Sequence, residues 1–343
     1  MPSGSRRLAH SPTGKYLGVM KSELLAGCAL VLALAGCTKK EAAPAAAPAA
    51  PAAASPASPG QTLNTGTPVD GDATVTAPAT VGVGAPIEAG WTGPGNTGDY
   101  IDLVPRGFTA TSGEIGYAYT RDAIPVAKLQ APTTPGEYEV RYVLQLASER
   151  KIKATAPVTV SAATATLTVP PKAEGGEPLS IAWQGPAGTG DYVDIVPAGY
   201  TQTSGEITYA YTRDGNPSKL TAPGKVGDYQ VRYVLEGPGG RKVLAASPFA
   251  VTQSAATLKA DDIVARGTKV KVEWTGPKRA GDYVDLVKKG HAETSGELSY
   301  FYTDRESTGE LTAPAEPGEY EIRYVLEAPG GRQVLARRPL RVR

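Results

Sequence analysis

A domain-sized unit occurs three times in this sequence, and the repeat strongly limits the folds open to the chain. Trp91, Trp183 and Trp274 lie 92 and 91 residues apart, and each precedes a Gly-Pro pair by two positions. Every repeat then contains Gly-Asp-Tyr, Thr-Ser-Gly-Glu, Tyr-x-Tyr-Thr and Gly-x-Tyr-x-(Val/Ile)-Arg-Tyr-Val-Leu. Such a period exceeds the roughly 20–50 residues of a solenoid unit. We therefore expect three copies of one complete domain.

The segment that contains each tryptophan alternates between apolar and polar residues. In the third repeat Val270, Val272 and Trp274 share one face, opposite Lys271 and Glu273. Strict alternation predicts a strand with one buried face. The three tryptophans are therefore predicted to be core residues rather than exposed platforms for sugars.

A second alternating segment begins with a tyrosine in every repeat. In the first copy Tyr138, Val140 and Tyr142 share a face, whereas Arg141 lies on the other. A tyrosine at the start of such a strand resembles the tyrosine corner of immunoglobulin-like domains, which implies that its hydroxyl bonds a nearby backbone group. The cysteine often found two positions later is replaced by Val140, and both cysteines of the chain lie in its first 37 residues. We expect no disulfide in the repeats.

Counting alternating segments between glycine and proline turns gives about seven strands per repeat, which is typical of a two-sheet sandwich. The predicted fold is all-β: three tandem immunoglobulin- or fibronectin-III-like sandwiches that follow a signal peptide and a disordered linker. The predicted bounds are residues 72–162, 163–254 and 255–343. Because the linkers are short, neighbouring repeats should contact end to end, in a rod of roughly 100 Å.

The N-terminal region reads as a leader rather than as part of the fold. Residues 24–35 are apolar but too few to span a membrane, for which about 20 are needed. They end in Leu34-Ala35-Gly36-Cys37, which resembles the lipobox of bacterial lipoproteins. That resemblance implies a signal peptide over residues 1–36, with Met20 as an alternative start, and acylation (palmitate) of Cys37. The same four-residue pattern ends at Cys28, but no apolar run precedes it.

Residues 37–71 are predicted to form an acylated, disordered tether, because they are rich in Ala, Pro, Ser and Gly. Thr38 stands where an Asp would favour retention of enterobacterial lipoproteins in the inner membrane. The resemblance thus favours a lipid anchor in the outer membrane, with the repeats facing the periplasm or the cell surface.

The repeats also resemble a known module. The string Trp-x-Gly-Pro, Gly-Asp-Tyr-(Ile/Val)-Asp-(Leu/Ile)-Val, Tyr-x-Tyr-Thr and Tyr-x-(Val/Ile)-Arg-Tyr-Val is similar to a β-sandwich module of Gram-negative envelope proteins. That module is often found beside von Willebrand factor type A domains. The metal-binding Asp-x-Ser-x-Ser motif of those neighbouring domains is absent from this sequence, so their metal-dependent function is not implied.

Few residues suit catalysis, metals or cofactors, and none of these is expected. His291 is the one histidine outside the leader region and is predicted to lie in a loop. Calcium between repeats would need acids from both neighbours, yet only the second boundary offers a pair, Asp261 and Asp262. A formal net charge of +1 gives no reason to expect nucleic acid.

The candidate functional site is a face of recurring Tyr, Asp and Arg residues. If Ile101 and Leu103 point to the core, the intervening residues point outward. This face is either a binding surface for a partner or a cross-strand Asp–Arg pair on a solvated sheet. The alternative strand phase would bury Tyr100 and Val104 and turn Asp102 inward, which would require Arg141 as its buried partner. The residues are Tyr100, Asp102, Arg141, Tyr192, Asp194, Arg232, Tyr283, Asp285 and Arg323.

These features predict a non-catalytic, membrane-anchored lipoprotein that acts as a spacer and binding module for a protein partner in the envelope. The alternative is binding of cell-wall polysaccharide or peptidoglycan through exposed tyrosines and the arginine-rich last strand. Salt dependence would distinguish the two, because binding through that strand should weaken as salt rises.

Overall fold

The structure, a computed structural model, describes residues 63–120, 125–304 and 306–343. The predicted signal peptide, Cys37 and the tether up to residue 62 lie outside the described residues. No helix among the described residues is long and apolar enough to cross a membrane. Over these ranges the regular structure is β-strand, apart from 3₁₀ geometry at Thr120 and at Thr212–Asp214.

In the described residues each repeat has eight strands. The first repeat has β1 (Thr74–Thr76), β2 (Thr80–Gly82), β3 (Pro86–Thr92), β4 (Tyr100–Pro105), β5 (Gly116–Tyr119), β6 (Val126–Gln130), β7 (Gly136–Gln145) and β8 (Arg150–Ser161). The second has β9 (Thr166–Thr168), β10 (Lys172–Glu174), β11 (Pro178–Gln184), β12 (Tyr192–Pro197), β13 (Thr208–Tyr211), β14 (Ser218–Thr221), β15 (Gly227–Leu235) and β16 (Lys242–Thr252). The third has β17 (Thr257–Lys259), β18 (Ile263–Val264), β19 (Lys269–Thr275), β20 (Tyr283–Lys288), β21 (Ser299–Tyr302), β22 (Thr308–Thr312), β23 (Gly318–Leu326) and β24 (Gln333–Val342).

The eight strands form two sheets in the same order in every repeat. In the first repeat β1-β3-β6 make a three-stranded sheet and β2-β8-β7-β4-β5 make a five-stranded one. All pairs are antiparallel except the one between β2 and β8 and its two equivalents. The prediction of three immunoglobulin- or fibronectin-III-like sandwiches is confirmed. There are eight strands rather than seven because the first edge segment divides between the two sheets, as β1 and β2.

The apolar cores lie between the two sheets, where the alternating segments placed them. Trp91, Trp183 and Trp274 are buried, as predicted. The tyrosine corner is also confirmed. Tyr138 donates its hydroxyl to the Thr134 carbonyl at 2.9 Å, and the equivalent bonds run from Tyr229 to Lys225 at 2.8 Å and from Tyr320 to Glu316 at 2.9 Å.

The aspartate of each Gly-Asp-Tyr motif fastens the loop before β4, β12 or β20 to the strand that carries the tyrosine corner. Asp282 is fully buried and accepts three hydrogen bonds, from the Arg279 and Glu327 amides and from the Tyr324 hydroxyl, each at 2.9 Å. Asp99 and Asp191 have the same three kinds of partner. The motif therefore stabilises the loop.

The folded region begins earlier than expected. Residues 64–70 were predicted to belong to the tether, but the Asn64 amide donates to the Gly95 carbonyl at 2.9 Å and the Val69 amide to the Asn96 side chain at 3.0 Å. Asp70 pairs with Lys151 and Lys153. These polar contacts order a segment that has little apolar surface, which the compositional argument could not detect.

Consecutive repeats contact each other through the same backbone bond. The Thr133 amide donates to the Pro238 carbonyl at 3.0 Å, and 91 residues later the Gly224 amide donates to the Pro329 carbonyl at 3.0 Å. The predicted boundaries fall between β8 and β9 and between β16 and β17.

Candidate functional site

The predicted partner-binding face is buried, so the expectation of an exposed surface is wrong. Arg141 and Asp102 have no exposed surface, and Tyr100 is 3% exposed. The chain between β4 and β5 folds back over this side of the sheet: the Phe108 carbonyl accepts from Arg141 Nη1 at 2.7 Å, and the Thr111 carbonyl accepts from the Tyr100 hydroxyl at 2.5 Å. A partner could reach these residues only by displacing that loop. The other members of the face are equally buried: Tyr192, Asp194, Arg232, Tyr283, Asp285 and Arg323.

The aspartate and arginine of this face form a bidentate pair in every repeat. Arg141 Nε lies 3.0 Å from Asp102 Oδ1, and Nη2 lies 2.6 Å from Oδ2; the other two pairs show the same distances. Burial alone would lower the pKa of Arg141, but the hydrogen bonds and charge of Asp102 outweigh it and raise that pKa. A buried Asp–Arg pair is what the alternative strand phase required, although Ile101 and Leu103 are also buried. Both faces of β4 are therefore covered.

Exposed aromatic side chains instead gather on the edge strands β5, β13 and β21. In the second repeat Tyr209 is 49% exposed, and its ring packs edge-on against Tyr192 and Tyr211 at centroid distances of 5.9 and 5.4 Å. Arg241 lies 5.4 Å from the centre of the Tyr192 ring. With Glu206, these residues line a cavity of about 360 Å³, which we call the tyrosine notch.

The residues of the tyrosine notch recur in all three repeats at equivalent positions. The first repeat has Tyr100, Glu114, Tyr117, Tyr119 and Arg150, and the third has Tyr283, Glu297, Tyr300, Tyr302 and Arg332. In the third repeat the cavity is smaller, about 140 Å³.

Some charged groups of the notch have hydrogen-bond partners and others have none among the described residues. Arg241 pairs with Glu236 and also donates to the Thr203 carbonyl at 3.3 Å. By contrast, Glu206 Oε2 is buried and has no hydrogen-bond partner in the described part of the chain. The equivalent atoms of Glu114 and Glu297 are likewise buried and unpaired. Burial raises the pKa of Tyr192 to about 12, so this ring is neutral at physiological pH. The notch therefore offers aromatic faces to a ligand, and an unpaired hydrogen-bond acceptor lies buried beside them.

Two other groups named from the sequence have structural partners. His291 lies in the loop after β20, as predicted, with Nε2 2.6 Å from the Ser295 carbonyl. In the last strand Arg337 pairs with Glu321 and Arg338 with Asp262, at 2.8 and 2.7 Å. These acids offset much of the positive charge expected of that strand. The described residues contain no group of three or more His, Cys, Asp or Glu that could hold a metal ion.

The motifs that form the notch are visible in the sequence, but no role was predicted for them. Tyr-x-Tyr-Thr supplies the two edge-strand tyrosines, and Thr-Ser-Gly-Glu supplies the glutamate. The alternation of the strand was the usable signal, since Tyr209 and Tyr211 share the face of β13 opposite Ala210, which packs against the core.

Comparison with known proteins adds little beyond the fold. No protein-family model matches the chain, and no curated protein matches it. Among solved structures, the FN1–FN3 domains of chicken CNTN1 share 11% identity, with 81% of this chain and 100% of that chain covered and a TM-score of 0.23. Extracellular domains 3–5 of Drosophila OTK share 13% identity over 84% and 98% of the two chains, with a TM-score of 0.25. Immunoglobulin domains 1–5 of Sidekick-1 share 15% over 78% and 56%, with a TM-score of 0.22. The fold assignment therefore rests on the strand pairing described above.

Proposed function

We propose that this chain is a non-catalytic envelope lipoprotein, anchored through acylated Cys37 in the outer membrane, whose three sandwiches bind a protein partner through their tyrosine notches. The observation that carries the proposal is the exposure of large aromatic side chains at the same place in every repeat. Between 42% and 57% of the surface of Tyr117, Tyr119, Tyr209, Tyr300 and Tyr302 is exposed. Isolated exposed apolar residues need no explanation, whereas a repeated cluster indicates an interaction surface.

The chemistry of the notch suits protein recognition. Tyrosine provides a large, rigid contact area at low cost in side-chain entropy, and it is enriched among residues that dominate binding energy. Each notch lies on an edge strand, since β5, β13 and β21 pair on one side only. Backbone groups at such an edge are open to a partner segment, which could add as a further strand.

In-cell crosslinking of the tagged full chain, followed by mass spectrometry, tests the proposal. One dominant protein should be captured, and capture should fall sharply when Tyr117, Tyr119, Tyr209, Tyr211, Tyr300 and Tyr302 are all changed to Ser. A control variant changes the exposed Lys269 and Lys271 of β19 to Ser and should capture as well as the parent. Equal capture by the tyrosine variant would place the binding surface elsewhere.

One observation favours a second candidate, cell-wall polysaccharide or peptidoglycan. The Oε2 atoms of Glu114, Glu206 and Glu297 are buried without a hydrogen-bond partner in the described residues, and a rotation of each carboxylate would let it accept a hydrogen bond from a sugar hydroxyl beside the tyrosine rings. Cosedimentation with purified peptidoglycan tests this candidate. Binding that the tyrosine variant loses, without any captured protein in cells, would favour the polysaccharide over the protein partner.

A further inference from the structure

The tyrosine notch of the second repeat contains a second arginine of the same chain, Arg213, in addition to Arg241. Arg213 places its guanidinium carbon 4.1 Å from the centre of the Tyr211 ring and donates from Nη1 to the Thr189 carbonyl at 3.0 Å. A guanidinium over an aromatic face is attracted by the ring quadrupole. The notch thus binds a guanidinium group within its own repeat.

In the third repeat, the two residues after the threonine of Tyr-x-Tyr-Thr stand in the opposite order. Thr212-Arg213-Asp214 in the second repeat corresponds to Thr303-Asp304-Arg305 in the third. The backbone around the two threonines is equivalent, because the Thr212 and Thr303 amides donate to the Asp191 and Asp282 carbonyls, each at 2.9 Å. Asp304 therefore follows the strand at the position from which Arg213 reaches its ring.

This reversal coincides with a more exposed tyrosine ring in the third repeat. Tyr302 is 57% exposed, whereas the equivalent Tyr211 is only partly exposed beneath Arg213. Among the described residues no cation lies over Tyr302. The remaining cation of this notch, Arg332, covers Tyr283 at 5.5 Å and pairs with Glu327 at 2.6 Å.

Among the described residues around this ring, carboxylates outnumber cations. Glu297 Oε2 is buried without a partner in the described residues, and Asp304 is exposed where the second repeat has an arginine. Arg332 forms its ion pair with Glu327, so neither Glu297 nor Asp304 is in an ion pair among the described residues. A positively charged ligand would therefore gain both the aromatic face and the carboxylates.

We infer that the notch of the third repeat binds a basic side chain of a protein partner, with an arginine guanidinium as the best fit. This inference rests on the proposed partner-binding function and specifies the chemistry of the partner. The cavity of about 140 Å³ suits the head group of one side chain better than an oligosaccharide, since ligand pockets of whole small molecules are roughly 300–1,000 Å³.

Titration of the full chain with a model ligand tests the inference directly. N-acetyl-arginine amide is added to protein with isotope-labelled tyrosine rings, and N-acetyl-citrulline amide serves as the uncharged control of nearly equal shape. The arginine ligand should shift the ring signals of Tyr300 and Tyr302, and citrulline should bind about tenfold more weakly. Equal shifts with both ligands, or shifts with cell-wall oligosaccharides alone, would overturn the inference.

Two variants make the test specific to the notch. The exchange Asp304→Arg with Arg305→Asp restores the order of the second repeat without changing net charge, and it should abolish the ligand-induced shifts at Tyr302. The reciprocal exchange Arg213→Asp with Asp214→Arg should open the second notch and produce new shifts at Tyr211. Undiminished binding by the first variant contradicts the inference even if the second variant behaves as expected.

The experiments can reject the cation site and the proposed partner-binding function independently of each other. If the exchange at 304 and 305 leaves in-cell capture of the partner intact and arginine amide produces no shifts, the cation site is wrong but the partner-binding role stands. Absence of any captured protein, together with a saturable arginine site, would instead remove the proposed function and retain the site.

Discussion

At the scale of single residues, the glycine two positions after each tryptophan permits a close contact inside the sandwich. A Cβ atom on Gly93 would lie 2.7 Å from the Tyr142 ring, closer than real Cβ contacts allow. Gly93→Ala should therefore destabilise the first repeat by about 1–3 kcal/mol, as overpacking does elsewhere. Hydrogen exchange of the β3 and β7 amides measures the loss. Gly116→Ala is the control, since no heavy atom lies within 4 Å of that added Cβ, and it should leave exchange nearly unchanged.

A second prediction at this scale concerns the buried Asp–Arg pair. Arg232→Met would leave Asp194 buried without its cation and should cost about 3–5 kcal/mol of stability in the second repeat. The double change Asp194→Leu with Arg232→Met should be more stable than the single one, because it removes the stranded carboxylate. Urea unfolding of the three proteins measures the order. A double variant no more stable than Arg232→Met would show that contacts of Arg232 with the covering loop, and not the charge pair, dominate.

At the scale of elements, the loop before β20 is fastened to β23 by a bond that alkaline pH should break. Burial, with a contribution from Asp282, raises the pKa of Tyr324 to about 12, whereas an unfolded tyrosine titrates near 10. Between about pH 10 and 12 the folded protein holds a proton that the unfolded chain has lost, so the free energy of unfolding falls as pH rises through this range. Urea unfolding at several alkaline pH values measures this slope. Tyr324→Phe should make it shallower, and an unchanged slope would contradict the assignment to this bond.

The strands also show which parts of the fold could be predicted from the sequence alone. The alternation in β3 and β7 predicted both strands and their buried faces, because period two reports on side-chain direction. The alternation could not predict that the chain between β4 and β5 covers the outer side of the sheet. Asp102 and Arg141 therefore looked like residues of a solvated surface, although their charges neutralise each other inside the protein. The exposed side chains of the notch lie on β5, a short edge strand whose alternation spans only a few residues.

At the scale of the whole molecule, the repeats differ where a binding role would need them to differ. Their cores and their backbone junctions recur almost unchanged. The notches share three tyrosines, a glutamate and an arginine, but Arg213 fills the second notch whereas Asp304 replaces it in the third. One chain thus presents related surfaces of different charge. Simultaneous contacts of this kind raise the apparent affinity for a partner that can reach more than one of them.

The last prediction concerns the proposed lipid anchor, because such an anchor would determine where those surfaces act. Cys37 follows the apolar run of residues 24–35, whereas Cys28 ends the same four-residue pattern without such a run before it. In a Gram-negative host, Cys37→Ser should abolish palmitate labelling and release the chain from the membrane fraction, since stable anchoring needs more than one acyl chain. Cys28→Ser is the matched control and should be labelled and sediment like the parent. Loss of the label in the Cys28 variant, or retention in the Cys37 variant, would rule out acylation at Cys37 and with it the proposed tether.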